Sequence, residues 1–185
     1  MYEIRWHGRG GQGGFTAARL LGMAASVFEG KYSLAFPSFG PERRGAPVLG
    51  FTRISEERIT DRSMVDECDY VVVLDETLIG PAVLSGLKEN AVVLVNTCDP
   101  EPYRHMTDRK IIAFDATDLA MKILGRPITN TAMLGALLAV SEVVSLVSAK
   151  EAISSGMKPS IAEKNCVIVE KAYELVKGEL KDGQA

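Results

Sequence analysis

The chain alternates short apolar runs with longer stretches that are apolar on one side only. Tyr2-Glu3-Ile4-Arg5-Trp6 reads as a short opening strand. Phe15 to Glu29 carries Phe15, Ala18, Leu21, Ala25 and Phe28 at three- to four-residue spacing, the period of a helix with one buried stripe. Gly30 follows as a left-handed C-terminal cap. Tyr32 to Phe36 and Val48 to Ser55 predict two more strands, joined by a proline- and glycine-rich loop from Pro37 to Pro47. Glu56-Glu57 reads as a charged turn and Arg58-Ile59-Thr60 as a short return strand, which makes an antiparallel hairpin. Tyr70-Val71-Val72-Val73-Leu74, Ala91 to Val95 and Ile111 to Phe114 are continuously apolar, as in strands buried on both faces.

Helices are predicted at Thr77–Leu87, at Asp118–Leu124 (stopped by Gly125 and Pro127) and at Ala132–Leu146, the last apolar all round and therefore central. A short helix over Glu151–Ser155 precedes a closing one over Ile161–Lys177. Ser160 and Glu163 have the spacing of a capping box, and Ile161, Ile168, Ala172 and Leu175 form the apolar stripe. The pattern predicts an α/β fold: a three-layer α/β/α arrangement around a mostly parallel sheet made mixed by the hairpin. One domain is expected over residues 1–180, with a loose tail at 181–185 and no internal repeat.

Composition narrows the function by subtraction. The 185 residues carry a net charge of −3 and no basic run, so nothing points to nucleic acid. No window is long and apolar enough for a membrane span, and the N-terminus opens on a strand rather than a signal-peptide pattern. Cys68, Cys98 and Cys166 are far apart and form no C-x-x-C, so neither an iron–sulfur nor a zinc site is legible. They read as core thiols of a reducing cytosol, and a cytoplasmic location is expected.

The densest signal is His7-Gly8-Arg9-Gly10-Gly11-Gln12-Gly13-Gly14, where five of the seven residues from Gly8 to Gly14 are glycine. It lies between a strand and a helix. Such a loop lets backbone amides at a helix start face an anion, most often a phosphate. Gly8, Gly10 and Gly13 match G-x-G-x-x-G, but the next strand runs into Pro37-Ser38-Phe39 without the ribose-binding acid of a dinucleotide site. No Lys-Ser or Lys-Thr follows, as a phosphate loop for ATP requires. Two readings stay open: contact with a ligand or partner, or a tight turn packing helix on strand. Arg9, between glycines, favours contact. Asp75-Glu76, Asn96-Thr97 and Asp115 end strands, where open α/β sheets bind ligands but where Asp, Asn and Thr also cap helices. Asn130, ahead of Thr131 and the apolar helix, is read the same two ways.

No nucleophile elbow, metal pattern or placeable acid–base pair is present, and His7 and His105 belong to no recognisable triad. No residue is assigned as catalytic. That thin inventory points to binding, or to a share in a larger assembly.

Four blocks resemble one family: Ile4 to Gly14; Phe39-Gly40-Pro41-Glu42-Arg43-Arg44-Gly45-Ala46-Pro47; Val72-Val73-Leu74-Asp75-Glu76; and Asn130-Thr131-Ala132-Met133-Leu134-Gly135. In order and spacing they resemble the gamma subunit of pyruvate and other 2-oxoacid:ferredoxin oxidoreductases, and a similar module occurs in the beta subunit of indolepyruvate:ferredoxin oxidoreductase. The resemblance implies a multisubunit enzyme with alpha, beta and ferredoxin-like delta chains. In such an enzyme thiamine diphosphate lies between alpha and beta, and iron–sulfur clusters sit in beta and delta. Coenzyme A accepts the acyl group as carbon dioxide leaves, and ferredoxin takes the electrons.

This chain, lacking cluster cysteines and the G-D-G…N-N thiamine diphosphate motif, is then an accessory part that binds no cofactor alone. Coenzyme A, with three phosphates, becomes its candidate shared ligand. The candidate contacts are Gly8, Arg9, Gly10, Gly11, Gln12, Gly13, Arg43, Arg44, Asn130 and Thr131, since guanidinium forks and helix-start amides suit phosphate oxygens. The competing reading makes the same loops docking surfaces for alpha or beta. Pyruvate is the first substrate expectation, with indolepyruvate, 2-oxoglutarate and 2-oxoisovalerate as alternatives. A stand-alone nicotinamide or flavin oxidoreductase and a ligand-free scaffold are the readings from other classes.

Overall fold

The computed structural model describes residues 1–38 and 45–183. Six strands form one sheet: β1 (Tyr2–Arg9), β2 (Tyr32–Pro37), β3 (Pro47–Ser55), β4 (Cys68–Val73), β5 (Leu87–Asn96) and β6 (Lys110–Phe114), in the order β2-β3-β1-β4-β5-β6. β4, β5 and β6 run parallel to β1, whereas β3 is antiparallel to both β1 and β2. The sheet is therefore mixed and mostly parallel, an α/β fold as expected.

Alternation along the strands sends side chains to two unequal layers. Ile4, Trp6, Ile54, Val72, Leu74, Leu94 and Ile112 face a thick helical layer. It contains α1 (Gly14–Met23, continued by a π-helical turn at Ala24–Phe28), α3 (Ala116–Leu124), α4 (Asn130–Val140), α5 (Leu146–Gly156) and α6 (Pro159–Lys181). Phe51, Val71, Val73, Val93 and Val95 face the opposite side, where the cover is thin: Val65 from a loop and Val83 from the one-turn helix α2 (Pro81–Leu84). Polar residues of this face are drawn under that cover. The Arg5 guanidinium donates to the carbonyls of Val83 and Ser85. Arg53, 1% exposed, pairs with Glu3 at 2.9 Å and donates to the carbonyls of Asp61 and Ser63.

Several elements differ from the sequence reading. Arg58-Ile59-Thr60 forms no strand. The antiparallel pairing lies between β2 and β3 and between β3 and β1, so both edges of β3 are occupied and a return strand has no edge to join. Thr77–Leu87 is not one helix. A 3-10 turn at Glu76–Leu78 and the single turn α2 are separated by extended Ile79 and Gly80, and Gly86 (φ 63°) ends the segment, so Leu87 opens β5 against Cys68.

The apolar helix α4 stops at Val140 because Ser141 is extended. Ser145 then caps α5 by accepting from the Ser148 amide, and α5 is longer than the predicted Glu151–Ser155. α6 opens at Pro159, whose missing N–H suits a first helical position. This puts Ser160 inside the helix, so the expected capping box does not form. Its buried stripe is Ala162, Asn165, Ile168, Val169, Ala172 and Val176, with Ile161 and Leu175 about half exposed. Gly30 takes φ 68°, as its capping role requires.

Candidate functional site

β1 connects through α1 to β2 on one side of the sheet, and β4 leads to β5 and β6 on the other. The chain thus reverses its direction of travel between β1 and β4. A crevice outside the carboxyl ends of such strands is where open α/β sheets place ligands. The glycine loop emerges from β1 at this point, and Leu74 to Thr77 emerges from β4 beside it; the Leu74 amide donates to the His7 carbonyl at 2.8 Å.

The chain's own side chains fill that crevice. Arg9 Nε donates to Asp75 Oδ2 at 2.8 Å, and another guanidinium nitrogen donates to Thr77 Oγ1 at 2.7 Å. The third donates to the Gly45 carbonyl at 3.1 Å. Gln12 closes the loop on itself: its Oε1 accepts from the Arg9 amide at 2.7 Å, and its Nε2 reaches Asp75 at 3.3 Å. The Asp75 carboxyl is held below the usual carboxylate range by the Thr77 and Arg9 hydrogen bonds, which outweigh its partial desolvation. Arg9 therefore serves first as a strut within the chain.

On the other side of the loop the backbone faces open space. Gly13 (φ 79°) precedes α1 and offers no side-chain cap, and the first turn holds no acid. The first-turn amides of Gly14, Phe15 and Thr16 consequently have no intrahelical acceptor and carry the positive end of the helix dipole. These three residues line a hollow of about 560 Å³ together with Gly8, Arg9, Gly10 and Leu49. Gly13 itself is held from beneath. The Asn130 side-chain Nδ2 donates to its carbonyl at 3.3 Å, and a Cβ added at Gly13 would stand 2.6 Å from the same nitrogen.

Asn130 thus props the loop from the start of α4, whereas Thr131 is fully buried and donates to Asn165 at 2.6 Å. Gly11 is exposed at the loop tip. Arg43 and Arg44 lie outside the described residues. Of the strand-end residues, Asp75 caps the Thr77 amide, Asp115 caps the Asp118 amide, and Asn96 donates to the Leu74 carbonyl. The pairing of Arg9 with Asp75 was missed in the sequence; the adjacency of β1 and β4 is what brings the two strand ends together.

His7 is 7% exposed, and burial with Arg5 nearby lowers its pKa to about 4. Among the described residues no three His, Cys, Asp or Glu side chains stand together to hold a metal ion. Cys68 is buried, Cys98 exposed and Cys166 half-buried; the three do not fit a cluster's ligand set, and burial pushes the Cys68 thiol up to about 11. No helix described is long and apolar enough to cross a membrane.

Fold and loop together define an α/β sheet protein whose glycine loop leads into a helix with an uncapped first turn and no acidic side chain in it. Residues 3–175 match the family described as pyruvate ferredoxin/flavodoxin oxidoreductase. Pyruvate synthase subunit PorC of Methanothermobacter marburgensis is 51% identical over 178 residues, 96% of this chain and 98% of that protein. The common gamma subunit of the pyruvate/ketoisovalerate oxidoreductases of Thermococcus kodakarensis is 47% identical over 94% of this chain and 96% of its own. The crystal structure of the pyruvate oxidoreductase subunit PORC of Thermotoga maritima superposes with a TM-score of 0.82 at 41% identity, covering 94% of this chain and 95% of that one. The chain belongs to the pyruvate ferredoxin/flavodoxin oxidoreductase family.

Proposed function

We propose that this chain is the gamma subunit of a multisubunit 2-oxoacid:ferredoxin oxidoreductase acting on pyruvate. That enzyme would carry out coenzyme A-dependent oxidative decarboxylation to acyl-CoA, carbon dioxide and reduced ferredoxin. Thiamine diphosphate and the iron–sulfur clusters belong, on this reading, to the alpha, beta and delta partners. This chain contributes the glycine-loop edge, with Gly8 to Gly13 and the start of α1 facing the phosphates of coenzyme A; Arg43 and Arg44 are further candidates for the same contact. One observation carries the reading: three uncapped first-turn amides of α1 line an open hollow with no acidic side chain in that turn. Chemistry on the thiol has no acid or base in that lining to serve it, so the edge suits the phosphorylated end of the coenzyme.

Thr16 provides the test. It is exposed in the first turn of α1, where an acidic residue is favourable for the helix and repels a bound anion. In the assembled complex Thr16→Asp is expected to raise KM for coenzyme A about tenfold, equivalent to roughly 1.4 kcal/mol. kcat and KM for pyruvate should hold, and Thr16→Asn should behave as the parent. An unchanged KM for coenzyme A overturns the phosphate reading. Loss of this chain from the purified complex supports a docking surface instead.

A further inference from the structure

The glycine loop cannot hold a shape by itself. Five glycines in seven residues leave the backbone from Gly8 to Gly14 with few restraints of its own. Yet one flank is paired with the segment ahead of β3: the Gly10 amide donates to the Ala46 carbonyl at 2.8 Å, and the Gly10 carbonyl accepts from the Gly45 amide at 3.2 Å. The two side chains of the loop converge on one group. Arg9 Nε and Gln12 Nε2 both donate to Asp75 Oδ2, while Oδ1 of the same carboxylate accepts from the Thr77 amide. Thr77 Oγ1 in turn accepts from Arg9, which closes a ring across 66 residues of chain. The Asp75 side chain is only 16% exposed, so its charge faces Arg9 rather than water.

We infer that Asp75 is the positioning residue of the glycine loop: through Arg9 and Gln12 it latches the loop to the end of β4 and so keeps the first turn of α1 open on the β3 side. Asp75 touches no reacting atom on this account. It acts through the loop, and the consequence for coenzyme A rests on the function proposed above. The latch also keeps the crevice between β1 and β4 filled by protein, so a ligand of this edge lies on the outer side of the loop, against Gly50 and Leu49, rather than between the strands.

Asp115 supplies a matched control. It ends β6, caps the Asp118 amide at 2.8 Å as Asp75 caps Thr77, and has no bond to the glycine loop. Asp75→Ala, Asp75→Asn and Asp115→Ala are compared in the assembled complex by hydrogen–deuterium exchange and steady-state kinetics. Asp75→Ala should speed amide exchange across Gly8–Gly14 at least tenfold and raise KM for coenzyme A severalfold at unchanged kcat. Asp75→Asn, which keeps an acceptor for Thr77, should recover part of both effects, and Asp115→Ala should show neither. If loop exchange in Asp75→Ala matches the parent, or Asp115→Ala moves it equally, the latch is overturned. If loop exchange rises while KM for coenzyme A stays put, the latch stands and the coenzyme A reading fails.

Discussion

Gly135→Ala is expected to destabilise the chain by about 2 kcal/mol or more, although alanine is the better helix former. Gly135 lies in the middle of α4, where it crosses α6. A Cβ at this position would press into the Val169 carbonyl oxygen and stand 2.9 Å from the Ala172 Cβ, both in α6. Ordinary carbon contacts lie at about 3.5–4.0 Å. The obstruction is partly backbone, which cannot rotate away, so the helices must part and the core around Leu134 and Ile168 opens with them.

Overpacking against backbone falls at the upper end of the usual range, about 3 kcal/mol, and replacing glycine in a helix recovers about 1 kcal/mol, which leaves a net loss of about 2 kcal/mol. For a chain of this size the melting temperature should fall by roughly 4–8 °C. Gly178→Ala, in α6 but with no atom within 4 Å of the added Cβ, isolates the propensity term. It should stabilise by about 0.5–1 kcal/mol. If thermal unfolding shows Gly135→Ala as stable as the parent, the close α4–α6 approach is wrong.

Acid should unfold the chain in part through His7. Burial beside Arg5 lowers its pKa from 6.5 to about 4. The unfolded chain therefore takes up this proton near pH 6.5, while the folded chain takes it up only near pH 4. Between those values the unfolded state binds more protons, so stability falls as pH falls. Above pH 6.5 neither state holds the proton, and the contribution is flat. The full gap is worth about 3 kcal/mol. His7→Gln carries no titrating proton and should flatten the dependence of urea midpoint on pH across this window, whatever its stability at neutral pH. A slope identical to that of the parent would mean that His7 is not buried in neutral form.

Some of this was legible because local and global signals agreed. Tyr70 to Leu74 and Ala91 to Val95 are apolar on both faces, and both are central parallel strands flanked on each side. The glycine loop announced its place between β1 and α1, since strand, glycines and helical period follow one another directly. Elsewhere two local rules competed. Thr77–Leu87 reads as one helix, while Gly80, Pro81 and Gly86 break it into turns. In α6 the Ser160 and Glu163 spacing matched a cap, but Pro159 already occupied the first helical position. Arg58-Ile59-Thr60 had strand-like residues, but both edges of β3 were already taken by β1 and β2.

What the sequence determined by itself was the alternation of apolar strands and one-sided helices, the α/β class, and a loop whose glycines leave backbone amides available. Those properties depend on residues close together in the chain. Tertiary structure alone decided which strands are neighbours, and with that the use of Arg9. Read in sequence, Arg9 is a cation between glycines, free for a ligand. In the fold β4 lies beside β1, Asp75 meets it from 66 positions away, and the cation becomes a strut. Pairing of that kind follows from strand order, which is set by packing of the whole sheet against its helices and leaves no trace in local spacing.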